Sequence, residues 1–141
     1  MILDHAGNLY GTTIAGGDKG SGTVFELTHN SNGSWHESVL YDFCSLTSCS
    51  DGSGPSSGLI FDQAGNLYGT TFYGGRGKSG VVFKLSPNSK GGWSETVLHA
   101  FGDKPGGLPY AGVIFDSAGN LYGTTYGDSN STFGSVFEIT P

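Results

Sequence analysis

Charged residues are scarce in this sequence, and basic residues are the scarcest. Only 13% of the 141 residues are charged, with 6 basic against 12 acidic residues and a net charge of −6. The basic residues are scattered along the chain: Lys19, Arg76, Lys78, Lys84, Lys90 and Lys104. A surface that tracks nucleic-acid phosphates needs a clustered stripe of Lys and Arg, so we expect no nucleic-acid partner.

Long apolar stretches are also missing. No run approaches the ~18 apolar residues that a membrane-spanning helix needs. The first residues, MILDHAGN, lack the basic and apolar regions of a signal peptide. We therefore expect no membrane span in this chain, and we expect any export signal or anchor to lie outside it.

Cysteine occurs only twice. Cys44 and Cys49 enclose SLTS, and a zinc site would want two further Cys or His ligands. The sequence has no second cysteine pair, so we predict no metal site. We favour a disulfide that staples the loop, which agrees with an exported protein. Because the closed loop is short, the bond would add roughly 2–3 kcal/mol at most.

Glycine and aromatic residues, by contrast, are abundant. The chain has 26 glycines, and 13% of its residues are aromatic. Glycine disfavours a helix interior by roughly 1 kcal/mol against alanine. This composition instead suits short strands joined by tight turns, with aromatic rings between the sheets.

One string of residues occurs three times. Residues 4–17 read DHAGNLYGTTIAGG, residues 62–75 read DQAGNLYGTTFYGG, and residues 116–127 read DSAGNLYGTTYG. The first two copies are offset by 58 positions and the last two by 54. An internal repeat of this quality predicts stacked copies of one structural unit.

Each unit contains about four strand patterns. In the second copy they cover residues 58–62, 66–72, 80–86 and 93–101, separated by turn-forming residues. Four antiparallel strands in somewhat more than 50 residues are typical of a β-propeller blade. We therefore predict an all-β fold, a partial β-propeller of about three four-stranded antiparallel blades, the last lacking its fourth strand. A β-solenoid or a stacked sandwich is the alternative.

The three units divide the chain into residues 1–55, 56–109 and 110–141. Met1 is equivalent to Leu59, and Thr140 is equivalent to Ser86. The array thus looks cut inside a first strand and after a third strand. One hypothesis is a fragment whose neighbouring blades belong to a longer chain. The other is a homodimer in which two chains pair into a six-bladed ring.

The recurring residues resemble a known family. LYGTT, followed by G-x-VF, W-x-E-x-VL and IFD-x-AGN, is similar to the GloVer (Gloeo-Verruco) tandem repeat. That repeat occurs in bacterial proteins described as choice-of-anchor tandem repeat GloVer-containing. The resemblance covers practically the whole chain and implies a secreted or cell-surface, propeller-like protein, without catalytic residues or cofactors to transfer. The third copy departs from it, because Asp128 and Ser129 replace Gly74 and Gly75.

An aspartate opens each D-x-A-G-N motif. Calcium binding would need further oxygen ligands at alternate positions, which the motif does not supply. We predict instead an Asx-type turn, in which the carboxylate accepts backbone N–H bonds. The three aspartates are Asp4, Asp62 and Asp116.

Other recurring residues are predicted to pack. Repeated aromatic residues could stack on sugar rings, but strict repetition favours contacts between blades. These residues are Trp35, Trp93, Tyr10, Tyr68 and Tyr122. The glycines that precede the Thr pairs are expected to let a neighbouring blade approach closely. They are Gly11, Gly69 and Gly123.

Function is expected on the loops that differ between copies, because binding sites usually lie on variable loops of a rigid scaffold. We predict a non-enzymatic surface module that binds a glycan or a protein. An enzyme acting on polysaccharide is the alternative, and it would need two carboxylates that converge at the channel mouth. A purely structural spacer is the third hypothesis. The candidate ligand-binding residues are Asp18, Asp51, Arg76, Lys78, Asp103, Tyr110 and Asp128.

Overall fold

The computed structural model describes residues 1–102, 106–127 and 133–140 and contains three antiparallel β-sheets. The first sheet has the strand order β1-β2-β3-β4, the second β5-β6-β7-β8 and the third β9-β10-β11. The strands are β1 (Ile2–Leu3), β2 (Leu9–Thr13), β3 (Thr23–His29), β4 (Trp35–Asp42), β5 (Ile60–Phe61), β6 (Leu67–Thr71), β7 (Val81–Pro87), β8 (Trp93–Ala100), β9 (Ile114–Phe115), β10 (Leu121–Thr124) and β11 (Val136–Ile139). A short 3-10 turn covers Thr47–Cys49. The all-β prediction is confirmed, and the strands of the second unit agree with their predicted positions to within two residues.

The D-x-A-G-N motif forms the turn between the first two strands of each sheet. In the second sheet Asp62 Oδ1 accepts bonds from the backbone N–H of Ala64 and Asn66, both at 2.9 Å. Its Oδ2 accepts a bond from the Tyr68 hydroxyl at 3.0 Å. Gly65 has a φ of +81°, which glycine adopts without steric cost. The same bonds recur around Asp4 and Asp116, so the predicted Asx-type turn is confirmed.

These turns also explain the acidity of the carboxyl groups. Burial opposes ionisation of Asp62, but the bonds donated by Asn66, Tyr68 and Ala64 hold its pKa below the ordinary value. The carboxylate is therefore ionised and already supplied with donors. This arrangement supports a structural role for the motif.

Each sheet presents two apolar faces, because alternate strand residues point to opposite sides. We call one the tyrosine face; it carries Tyr10 and Val24 in the first sheet and their equivalents in the others. The opposite phenylalanine face carries Leu67, Phe83 and Leu85 in the second sheet and their equivalents elsewhere. The tyrosine face of the first sheet packs on the phenylalanine face of the second. The tyrosine face of the second sheet packs on the phenylalanine face of the third in the same way.

The two contacts between sheets use equivalent residues. Tyr10 meets Phe61 edge to face, with ring centroids 5.0 Å apart, and Tyr68 meets Phe115 at 5.0 Å. The Thr70 hydroxyl donates to the carbonyl oxygen of Ala111 in the linker to the third sheet, at 3.0 Å. An equivalent bond at 2.9 Å joins the first sheet to the second. One packing geometry, used twice, accounts for the strict repetition of these residues.

The recurring glycines have a different role from the one predicted. A Cβ atom on Gly69 would lie 2.7 Å from Cζ of Phe83, which is in the same sheet and directly opposite on the neighbouring strand. Gly11 lies equally close to Phe25, and Gly123 to Phe137. The glycine therefore accommodates the phenylalanine ring of its own sheet, and the expectation that it admits a neighbouring blade is wrong.

The packing prediction for the two tryptophans is confirmed for one of them. Trp93 is partly buried against the core between the first and second sheets. Trp35, its equivalent in the first sheet, is exposed. The difference arises because the phenylalanine face of the first sheet has no sheet packed on it.

Candidate functional site

The antiparallel strands place the connections of all three sheets on two opposite rims. The hairpin rim contains residues 4–8, 30–34, 62–66, 88–92 and 116–120. The loop rim contains residues 14–22, 43–59 and 72–80, with the described residues of the later loops, 101–102, 106–113, 125–127 and 133–135. The loops that differ most between copies lie on the loop rim, so this rim is the first place to look for a binding site.

The loop rim is fixed by backbone hydrogen bonds between successive units. Ser53, in the linker after the first sheet, exchanges two bonds with Tyr73 at 2.8 and 2.9 Å. The N–H of Tyr126 donates to the carbonyl oxygen of Leu108 in the next linker at 2.9 Å. Loops tied in this way hold their side chains in defined positions.

Four aromatic residues form a cluster on this rim, which we call the aromatic rim surface: Phe72, Tyr73, Tyr110 and Tyr126. The Phe72 ring lies 4.6 Å from the Tyr73 ring and 5.6 Å from the Tyr110 ring, between centroids. Phe72, Tyr110 and Tyr126 line a hollow of about 270 Å³. All three tyrosines are exposed to solvent. An exposed cluster of large rings is typical of a surface that contacts another molecule.

The aromatic rim surface is not shared by all three units, although Phe72 and Tyr126 occupy equivalent positions. The first unit has Ile14 and Ala15 where the second has Phe72 and Tyr73. Sequence reasoning named only Tyr110 from this cluster. The signal that was missed is the change immediately after the repeated Thr pair, from IA to FY to YG.

The charged candidates on the loop rim fall into three groups. Asp18, Arg76 and Lys78 are exposed, and the two cations lie on the same loop as Phe72 and Tyr73. The backbone N–H of Asp18 donates to the Asp42 carboxylate at 2.9 Å, and this bond fixes the loop of residues 14–22. Asp103 and Asp128 lie outside the described residues. The third group is Asp51.

Asp51, the last of the charged candidate ligand-binding residues on this rim, is fully buried, so its side chain is not presented to a ligand there. Its carboxylate accepts bonds from the Tyr41 hydroxyl at 2.9 Å and from the backbone N–H of Ser45 and Leu46 at 2.8 and 3.3 Å. A buried carboxylate needs such donors to offset its lost hydration. Asp51 therefore holds the loop of residues 44–51 in place.

The predicted disulfide is present in the same loop, between Cys44 and Cys49. The carbonyl oxygen of Cys49 accepts bonds from the N–H of Gly52 at 3.0 Å and of Gly75 at 2.8 Å. Gly75 belongs to the loop that carries Phe72 and Tyr73. The disulfide loop thus supports the backbone behind the aromatic rim surface.

The hairpin rim contains two equivalent clefts between neighbouring D-x-A-G-N turns. The first cleft, of about 410 Å³, lies between the turns of Asp4 and Asp62, and its lining includes the rings of Tyr10, Phe61 and Trp93. The second, of about 430 Å³, lies between the turns of Asp62 and Asp116. The aspartates beside these clefts already accept bonds within their own turns, so they have little left to offer a ligand. The clefts follow from the repeat itself.

Two acidic side chains interact where the first and second sheets meet. Burial, and then the charge of Asp51, raise the pKa of Glu95 to about 7. Such a pair of unlike carboxyl groups is what acid–base catalysis uses. However, Glu95 lies on β8, at the sheet edge opposite β5, and Asp51 is inaccessible to a substrate. Within the described part of the chain no three His, Cys, Asp or Glu side chains cluster as a metal site.

The fold defines this chain as a tandem array of stacked antiparallel sheets, each built on the same residues. A family model described as the Gloeobacter/Verrucomicrobia repeat matches residues 1–141, and the chain belongs to that family. No curated protein and no solved structure matches the chain. The described residues form no helix that is long and apolar enough to span a membrane.

Proposed function

We propose that this chain is a non-enzymatic binding module of β-propeller type in a secreted or cell-surface protein, and that its ligand is a glycan. Three sheets that stack through one repeated contact support the propeller assignment, because propeller blades meet in this way. The disulfide supports an oxidising location outside the cytoplasm. The three repeat units, residues 1–55, 56–109 and 110–141, are the proposed blades.

The observation that carries the glycan assignment is the aromatic rim surface. A pyranose ring has a face of C–H groups that packs on an aromatic ring, and hydroxyl groups at its edge that need polar partners. Tyr73, Tyr110 and Tyr126 offer both, since each has an apolar ring and a hydroxyl group at the tip. Tyrosine also binds at low conformational cost, because its side chain has few rotatable bonds.

The position of this surface supports the same function. The rings belong to residues that differ between units, whereas the residues that pack the sheets are repeated. Backbone bonds to the linkers and the disulfide loop hold the loop of residues 72–80. The ligand would therefore meet a surface that is largely organised before binding, which lowers the cost of association.

The enzyme hypothesis receives less support. Its carboxylate pair would have to meet at the mouth of the propeller channel and reach a substrate. Asp51 and Glu95 interact, but Asp51 is fully buried and serves the loop of residues 44–51.

Glycan-array binding of the purified chain, followed by calorimetry on the best ligand, tests this function. We expect Tyr110→Ala and Tyr126→Ala each to weaken binding about tenfold, which corresponds to about 1.4 kcal/mol. His36→Ala is the matched control, because His36 is an exposed ring on β4, outside the loop rim. An array without any ligand, or affinities that both tyrosine variants leave unchanged, would refute the assignment. A protein ligand found instead would also refute it.

A further inference from the structure

The contact between neighbouring sheets is complete twice in this chain. Val24 on the tyrosine face of the first sheet and Val82 on that of the second are both 0% exposed. Each is covered by the phenylalanine face of the following sheet. In both contacts, therefore, the tyrosine face of one sheet is buried by the phenylalanine face of the next.

The tyrosine face of the third sheet is uncovered. Val136, the equivalent of Val24 and Val82, is 76% exposed, and Ile114 is exposed beside it. Together with Gly112, Tyr122, Gly123 and Thr124 they line an apolar hollow of about 290 Å³. An apolar surface of this kind on a strand-built face indicates a missing partner.

The phenylalanine face of the first sheet is uncovered as well. Leu3, Trp35 and Val39 are exposed there. Their equivalents in the second sheet, Phe61, Trp93 and Val97, pack against the first core. The two free faces therefore correspond to the two halves of the contact that the chain makes internally, although the described third sheet has three strands where the first two have four.

We propose that a second copy of this chain covers these faces, head to tail. The tyrosine face of the third sheet in one copy packs on the phenylalanine face of the first sheet in the other. Tyr122 then meets Leu3 of the second copy, as Tyr68 meets Phe115 within the chain. The contact continues an interface that already exists twice, with apolar side chains of equivalent position on both sides.

This contact joins two different faces, so it is heterologous. Two copies close into a ring if the rotation between sheets allows it, and otherwise further copies add in the same direction. In either case every contact between copies buries one tyrosine face and one phenylalanine face. This property makes the proposal testable by mixing variants.

Sedimentation velocity over a range of concentrations is the primary experiment. We expect species of two or more 14.6 kDa chains to increase with concentration. Val136→Glu places a charge on the free tyrosine face of the third sheet, and Val39→Glu places one on the free phenylalanine face of the first sheet. Each variant alone should therefore stay monomeric. An equimolar mixture of the two should associate again, because one intact face of each kind remains. Leu46→Glu is the matched control, since Leu46 is 54% exposed and Val39 50%, and Leu46 lies on neither face.

Several outcomes would overturn the proposal. A folded chain that remains monomeric at every concentration would show that a second copy does not cover the faces. A mixture that stays monomeric, or a Leu46→Glu variant that dissociates as much as the others, would exclude the head-to-tail contact. Melting temperatures check that the variants are folded, and Ile114→Glu repeats the test if Val136→Glu is unfolded.

Discussion

Replacing Gly69 with alanine tests the packing that the repeated LYGTT string encodes. The added Cβ would lie 2.7 Å from Cζ of Phe83 and 3.0 Å from Cδ2 of Leu59. Carbon atoms prefer a separation of about 3.5–4.0 Å, so the overlap approaches 1 Å. Phe83 is fully buried and Leu59 almost so, and neither can move outward into solvent.

The expected cost follows from two opposing terms. Overpacking a close-packed core costs typically 1–3 kcal/mol. Replacing glycine stabilises by about 0.4–1 kcal/mol, because the unfolded chain loses freedom. We therefore expect Gly69→Ala to lower the free energy of unfolding by about 1–2 kcal/mol, and the melting temperature by roughly 3–8 °C.

Two other glycines provide matched controls. Gly58 has open space around its Cβ position and no left-handed φ, so Gly58→Ala should be neutral or slightly stabilising. Gly11 lies as close to Phe25 as Gly69 does to Phe83, but Phe25 is only partly buried on an uncovered face. Its ring can move outward, so Gly11→Ala should cost less than Gly69→Ala in dilute solution.

Urea unfolding followed by tryptophan fluorescence measures these differences. The packing argument is refuted if Gly69→Ala is as stable as Gly58→Ala. It is also refuted if Gly11→Ala costs as much as Gly69→Ala, because the burial of the opposing ring would then be irrelevant.

Two further predictions concern the region where the first and second sheets meet. The folded chain holds the Glu95 proton up to about pH 7, whereas the unfolded chain loses it near the ordinary value of 4.5, so stability falls as the pH rises between these values. Glu95→Gln removes this dependence on pH. After allowance for partial exposure, we expect the variant to be more stable than the natural chain by about 1 kcal/mol at pH 8. If urea unfolding shows the same difference in stability between variant and natural chain at pH 4 and at pH 8, the prediction is contradicted. The Cys44→Ser, Cys49→Ser double variant should lose about 2 kcal/mol, since the disulfide closes a loop with a sequence separation of 5. The same unfolding experiment with and without reductant measures this loss, and a natural chain whose stability is insensitive to reduction would contradict the prediction.

Much of the fold could be predicted because its determinants are local. The D-x-A-G-N turn satisfies its aspartate within a few residues, and the strand that follows alternates residues between two faces. Because the sequence is repeated, each of these local features is seen in three copies. The disulfide between Cys44 and Cys49 was also predictable, because both cysteines lie in one short loop.

Other features depend on contacts between residues far apart in the chain. Asp51 looked like a solvated loop residue, yet the hydroxyl of Tyr41 and the disulfide loop enclose it. Tyr110 and Tyr126 were separated in the sequence from Phe72, and only the convergence of a strand end with a linker brings them together. A pattern of residue types does not give such distances.

By itself the sequence determined an all-β chain of three repeated units and its membership of a repeat family. The tertiary structure alone decided which faces are covered. Val24, Val82 and Val136 occupy equivalent positions on the third strand of their sheets, yet two are buried and one is exposed. The physical reason is that burial is a property of a pair of faces, and a residue can lose contact with water only where another sheet lies against it.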